Sequence, residues 1–310
     1  MFSINKIKFS LLKYLYQNKK IIVTEQDFIS IWKSDIFTLE IKNRKAIPKI
    51  IWAFWDSKEM PEVVKICINN WKELHPDFEI NILNSETIHT FLPNFPRLKK
   101  DFNPVFTCDL LRLSLLKEYG GIYLDASVFL NQRLDQYISF YIENNLDLLV
   151  FSSEGHPNDK KYPITESWFI ISEKTNLFIE KWLFYLTEVF LSNDFESYFK
   201  DNKTRKIAYN SVNETKRDYF YIYMASQLAM REITNTKIGF LDSTKNGFFY
   251  NYYFKFNYEK IAKFLLLQTK YSRFPSIIKL IAKNRAPIEN MIKNSCYRKN
   301  SMFGKYVKNK

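Results

Sequence analysis

The sequence predicts an α/β fold, a mainly parallel central sheet flanked by helices, and three stretches carry that prediction. Lys49 to Trp55, directly after Pro48, is an almost unbroken apolar run rich in β-branched and aromatic residues, the pattern of a strand buried on both faces. Pro61 to Leu74 sets Val63, Val64, Ile66, Cys67, Ile68 and Trp71 on a helical period, and Phe78 to Leu83 alternates as a second strand. Strand, helix and strand at this spacing make a right-handed βαβ unit. Finally, Thr107 to Tyr119 reads as a helix that stops at Gly120-Gly121 and feeds a short strand, Ile122 to Leu124, ending at Asp125.

Taken in order, residues 25 to 45 read as a helical or irregular lead-in closed by the basic loop Lys42 to Lys45. His75-Pro76-Asp77 halts the first helix, because a residue before proline is pushed out of the helical region. Residues 84 to 106 are Pro-rich and loop-like, with a short helix over Glu86 to Phe91. In the helix that follows, Thr107 suits the N-cap, Asp109 the positive end of the dipole, and Gly120 the left-handed position after the last turn. Leu146 to Ser152 and Ser167 to Ser172 read as strands, and Leu177 to Leu191 and Asp218 to Arg231 as helices; Phe240 to Tyr258 fits strand or loop equally. The chain divides into a helical N-terminal extension (1–45), an α/β body (46–254) and a basic C-terminal segment (255–310) that packs on the body or closes over its site.

With 310 residues, 46% hydrophobic and 25% charged, the chain can bury one large core, which excludes a disordered or fibrous protein. Cys67, Cys108 and Cys296 are odd in number and far apart, so they imply neither a disulfide framework nor paired metal ligands and fit a reducing cytoplasm. No run approaches the roughly 20 apolar residues of a membrane span, and residues 1 to 20 lack the features of a signal peptide. Net charge is +13 but uneven: residues 1–20 hold +5 and residues 255–310 hold +12, leaving 21–254 at −4. The ends therefore seek polyanions, either nucleic acid or the anionic inner face of a membrane. Ile4, Ile7, Leu11, Leu12, Leu15 and Tyr16 fall on helical spacing with lysines between, which describes an interfacial amphipathic helix and an ordinary docked helix equally.

The chemistry concentrates at Asp125. A carboxylate at the C-terminal end of a parallel strand lies on the edge where α/β sheets bind ligands. Mg2+ or Mn2+ bridging a diphosphate needs one or two carboxylates with phosphate and water oxygens, and Ser127, two residues on, points to the same side of an extended segment as Asp125.

The run TCDLLRLSLLKEYGGIYLDASVFL at 107–130 resembles the signature of the bacterial capsular polysaccharide synthesis transferases and their relatives in glycosyltransferase family 32. Three further stretches match in order: IPKIIWAFWDS at 47–57, NWKELHPDFEINILN at 70–84 and ESWFIISEKTN at 166–176. The resemblance implies a GT-A (Rossmann-like) fold and a retaining sugar transfer from a UDP- or GDP-sugar to a glycan or lipid-linked oligosaccharide, with Mn2+ or Mg2+. It implies that Asp109 and Arg112 touch the donor sugar and its phosphate, that Asp125 with Ser127 binds the metal, and that Trp52, Phe54 and Tyr123 lie by the nucleotide. Glu166 and Trp168 would line the acceptor side. Two departures stand out: Ser127 replaces the second acid of Asp-x-Asp, and Ile278-Lys279-Leu280 replaces a late His-Lys-Leu, which leaves Lys279 as the cation toward the diphosphate.

Plainer readings stand beside these. Asp109 and Arg112 also fit a surface i,i+3 pair; Trp52, Trp55 and Trp71 also fit a core; Glu166 and Trp168 also fit structural packing. A nucleic-acid-binding protein predicts basic residues throughout, against the −4 of residues 21–254, whereas Ser127 keeps a non-catalytic scaffold open.

Overall fold

The computed structural model describes residues 29–35, 37, 46–57, 59–96, 104–153, 161–192, 194–217, 219–270 and 274–307. Its strands are β1 (Ile29–Lys33), β2 (Ile50–Phe54), β3 (Glu79–Leu83), β4 (Gly121–Leu124), β5 (Val128–Leu130), β6 (Leu148–Ser152), β7 (Thr165–Ser172), β8 (Lys237–Asp242) and β9 (Ile277–Lys279). Seven of them form one sheet in the order β1-β8-β6-β7-β4-β2-β3. The pairings leave β2, β3, β4, β6 and β8 running in one direction and only β1 and β7 against it, so the sheet is mixed but mainly parallel.

Both faces of this sheet are covered. Ile51 and Ala53 of β2, Ile122 and Leu124 of β4, and Leu149 and Phe151 of β6 enter one apolar cluster with the helix Glu62–Leu74 and the C-terminal helices Tyr258–Leu267 and Ala282–Lys293. Their neighbours Trp52, Phe54, Tyr123, Leu148 and Val150 enter the other, against the helices Pro104–Tyr119, Leu177–Leu191 and Tyr221–Glu232. The alternation is the period of two of a pleated strand, and it explains why these strands read as continuous apolar text. Each fully buried large side chain contributes roughly 1.5–3 kcal/mol.

The Gly-Gly turn sets the direction of β4. Gly120 has φ +66 and Gly121 φ +97, and a Cβ on Gly121 would stand 2.7 Å from the carbonyl oxygen of Ile50. Only glycine allows the chain to leave the helix and pass so close to β2. Beyond β4 the chain turns and β5 pairs with β9 in a separate antiparallel ribbon, Val128 opposite Lys279. Asn70 holds that ribbon against the helix Glu62–Leu74, accepting the Leu130 N–H at 2.8 Å and donating to the Leu130 carbonyl at 2.9 Å.

The βαβ unit, the short helix (Ile88–Phe91) and the strands at 148–152 and 165–172 lie where the sequence predicts them. Three elements differ. Within 25–45, read as helical or irregular, Ile29–Lys33 is an edge strand antiparallel to β8. The helix expected to start at Thr107 begins at Pro104, whose missing N–H and fixed φ suit a first turn. The undecided stretch 240–258 resolves into the end of β8 and a short helix, Phe249–Tyr253. The amphipathic pattern at residues 4–16 lies outside the described residues, and among the described residues no helix is long and apolar enough to cross a membrane.

Candidate functional site

Asp125 follows β4 directly, two residues after Tyr123 and so on the same side of the strand, the side that faces the helix Pro104–Tyr119. Its backbone N–H donates to the Trp168 carbonyl at 2.9 Å, tying it to β7. One carboxylate oxygen is 3.6 Å from Arg112, and the other accepts a hydrogen bond from the ammonium of Lys279. Burial alone would raise the pKa of this carboxyl; the charges of Lys279 and then Arg112 outweigh it and hold it below the ordinary range.

Asp109 and Arg112 lie three apart on the helix, and the guanidinium is 3.1 Å from the Asp109 carboxylate with both side chains buried. This is not a surface pair. Arg112 also donates to the Ser167 carbonyl at 2.8 Å and to the Ser167 hydroxyl at 2.6 Å, and it lies 4.9 Å over the Tyr123 ring. The planar fork is thus fixed from three directions, by its own helix, by β7 and by β4. Burial, with a smaller push from Asp125, raises the Asp109 carboxyl to about 7 against the pull of Arg112.

The C-terminal segment supplies two further cations. Lys279 is placed by the β5–β9 pairing, and its backbone N–H donates to the Gly247 carbonyl at 2.7 Å. Arg285, in the helix Ala282–Lys293, sits 3.4 Å from the Ser127 hydroxyl and 5.3 Å over the ring of Trp55. The Trp55 indole N–H is buried with no acceptor among the described residues. Tyr219 stands half exposed at the rim, and its phenol is raised by burial and then by the charges of Asp109 and Asp125. Nothing in the sequence singles out Arg285, one basic residue among 14 in its segment, or Tyr219.

Of the residues read as binding groups, Asp109, Arg112, Asp125 and Lys279 come together. Others take different roles. Trp52 is 1% exposed, packs against Phe91 and Tyr119, and donates its indole N–H to the Gly120 carbonyl at 2.9 Å, so no face of its ring is free for a base. Phe54 is buried in the same cluster. Tyr123 is fully buried beneath Arg112, its hydroxyl 3.1 Å from Cys108 Sγ, and supports the guanidinium instead of meeting a ligand. Both sheet faces are covered by helices, and ligand-facing positions are confined to the strand ends.

Glu166 and Trp168 are buried, joined by a hydrogen bond from the indole N–H to the carboxylate, and Trp168 stacks on Phe151 at 4.3 Å. Burial raises Glu166 to about 7, with Lys279 near enough to oppose the rise.

The implied divalent cation does not fit this donor set. Ser127 is 3% exposed and donates its hydroxyl to the Leu280 carbonyl at 2.8 Å, so it faces the C-terminal segment. Both Asp125 oxygens and one of Asp109 are already on cations, so the one or two carboxylates that such an ion needs cannot take it without giving up a salt bridge. Mg2+ and Mn2+ bind through such oxygens, and here the Lys279 ammonium and the Arg112 guanidinium hold them.

A doubly covered, mainly parallel α/β sheet with charged groups from helix, strand end and C-terminal segment meeting at one edge defines an α/β protein with a cluster of ion pairs at its strand ends, the edge where such sheets bind ligands. Residues 18–260 match the capsular polysaccharide synthesis protein family, and the chain belongs to that family. It is 32% identical over 117 residues to inositol phosphoceramide mannosyltransferase 3 of Schizosaccharomyces pombe, covering 34% of this chain and 32% of the relative. It is 29% identical over 164 residues to the O-glycosyltransferase braB of Annulohypoxylon truncatum, covering 47% and 38%. The chain spans about a third of the length of these curated relatives. Among solved structures, a glycosyltransferase involved in the glycosylation of the major capsid of PBCV-1 aligns at a TM-score of 0.42 and 13% identity, over 79% of this chain and 98% of that one.

Proposed function

We propose that this chain is a glycosyltransferase that moves a sugar from a UDP- or GDP-sugar to a glycan or lipid-linked acceptor in the synthesis of a capsular or other surface polysaccharide. The observation that carries this reading is the cluster of Asp109, Arg112, Asp125 and Lys279 at the strand ends, in a chain whose residues 18–260 match the capsular polysaccharide synthesis family. The curated relatives with glycosyltransferase names support the reaction class, and the ceramide in one of those names supports a lipid-linked acceptor.

In this reading Arg112 and Lys279 meet the diphosphate of the donor, and Asp109 and Asp125 hold those cations in place and meet donor hydroxyls. The bond from the anomeric carbon to the diphosphate breaks with its electron pair left on the phosphate oxygen. The acceptor hydroxyl oxygen forms the new bond, and its proton passes to the departing phosphate oxygen on the same face, which retains configuration. Glu166 is buried near Lys279, and its assignment to the acceptor side rests on the resemblance alone. The +12 of residues 255–310 and +5 of residues 1–20 favour work at the inner face of a membrane.

The test is turnover of a panel of UDP- and GDP-sugars by the whole chain and by Asp125→Asn, read by mass spectrometry of the released nucleotide. The expected outcome is donor-specific release that falls about 10²-fold or more in the variant. Equal release by both proteins, or none from any donor, refutes the assignment.

A further inference from the structure

Fixed cations surround Asp125. Arg112, Lys279 and Arg285 face Asp109 and Asp125, each carboxylate already in an ion pair, while Glu166 and Glu289 act on Lys279 and Arg285 from further off. The Lys279 ammonium is hydrogen-bonded to one oxygen of the Asp125 carboxylate, the group to which the resemblance assigns a metal. It does not reach there on a loose tether. β9 is paired in register with β5, the Lys279 N–H is bonded to Gly247 and the next N–H, that of Leu280, to the Ser127 carbonyl at 3.1 Å. The lysine stem is buried to 9% exposure, so backbone pairing and packing both fix the position of the charge. Ser127, which would have to turn toward a metal, cannot do so without giving up its bond to Leu280.

We propose that Lys279 takes the place of a divalent cation, so that the chain binds the nucleoside diphosphate and stabilises its departure with the Lys279 ammonium, flanked by Arg112 and Arg285, without metal. This deepens the glycosyltransferase reading and rests on it. As the bond from the anomeric carbon to the phosphate oxygen breaks, the electron pair stays on that oxygen, and the ammonium meets the new charge as a hydrogen-bond donor. No proton leaves Lys279: the acceptor hydroxyl gives its own to the departing oxygen as it bonds to the anomeric carbon. A fixed ammonium is effective because its orientation costs nothing when the charge develops. Asp125 is then the residue that positions Lys279, and Arg285 shields the same edge from the C-terminal helix.

Calorimetric titration of the whole chain with UDP, GDP, CDP and dTDP, each in excess EDTA and again in MnCl2, tests this directly. One nucleotide is expected to bind with the same affinity, within about threefold, in both buffers. Lys279→Met is expected to weaken it by about 10²-fold in EDTA, while Lys279→Arg retains most of it. Arg285→Gln, at a position less deeply packed, is expected to weaken it to a lesser degree and to lower its dependence on salt, since one screened attraction to the diphosphate is gone. Binding that requires Mn2+ overturns the role of Lys279 and leaves the glycosyltransferase reading standing; so does wild-type affinity in the folded Lys279→Met protein. Failure of all four nucleotides in both buffers overturns the two together. The comparison of buffers uses the unmodified chain and stands even where Lys279→Met does not fold.

Discussion

Ser127 donates its hydroxyl to the carbonyl of Leu280 at 2.8 Å, and Leu280 returns its N–H to the carbonyl of Ser127 at 3.1 Å, which clasps together two positions 153 residues apart. The position that would carry a second metal-binding acid thus fastens the C-terminal segment to the body. Ser127→Ala removes one buried hydrogen bond, which is expected to lower stability by about 1 kcal/mol in urea unfolding. An unchanged midpoint would mean that the clasp holds nothing.

Arg112 is the buried hub of the site, bonded to Asp109, Ser167 and Cys108. Arg112→Ala leaves the Asp109 carboxyl buried without its partner and is expected to cost on the order of 3–5 kcal/mol. Pairing it with Asp109→Asn should recover part of that loss, because without Arg112 the buried Asp109 carboxyl, already raised to about 7, must take up a proton and the amide need not. Denaturant unfolding of both single variants and the double variant gives the coupling, and strictly additive losses would argue against a direct pair.

Glu166 sets a dependence on pH. Its folded-state value of about 7 lies above its ordinary 4.5, so between those two values the folded chain holds a proton that the unfolded chain has released. Stability therefore falls as pH rises through this window, by on the order of 3 kcal/mol in all, and is level above it. Asp109, raised in the same direction, adds to the slope. Glu166→Gln should flatten the part due to Glu166 in thermal unfolding measured from pH 4.5 to 8; a slope equal to that of the wild type would exclude Glu166 as its source.

Gly121→Ala tests the turn that aims β4. At φ +97, with the Ile50 carbonyl 2.7 Å from the added methyl, a loss of roughly 1–3 kcal/mol is expected, together with weaker nucleotide binding because Asp125 follows on the same strand. A fully stable Gly121→Ala protein would show that β2 and β4 can separate at no cost.

Much of this site is legible in one dimension. Asp109 and Arg112 share a helical face, the paired glycines end that helix, and Asp125 closes the strand that follows, all within 17 residues of text. Lys279 was reached only through a resemblance to a motif, and Arg285 and Tyr219 not at all, since a basic tail and an aromatic-rich chain give such residues no distinguishing neighbours. Trp52 and Tyr123 show the opposite error. Their alternation with Ile51 and Ile122 is plain in the sequence, but both faces of the sheet are covered, so alternation separates the two cores and exposes neither ring to a ligand.

Local pattern determined the α/β class, the βαβ unit, the Gly-Gly turn and the carboxylate at the end of β4, because each depends on residues a few positions apart. The company that carboxylate keeps was decided only when the chain closed on itself. Lys279 lies 154 positions from Asp125, and the pairing of β5 with β9 brings it there. A backbone pairing of three residues leaves almost no periodic signal to read, yet it sets which charge stands beside Asp125.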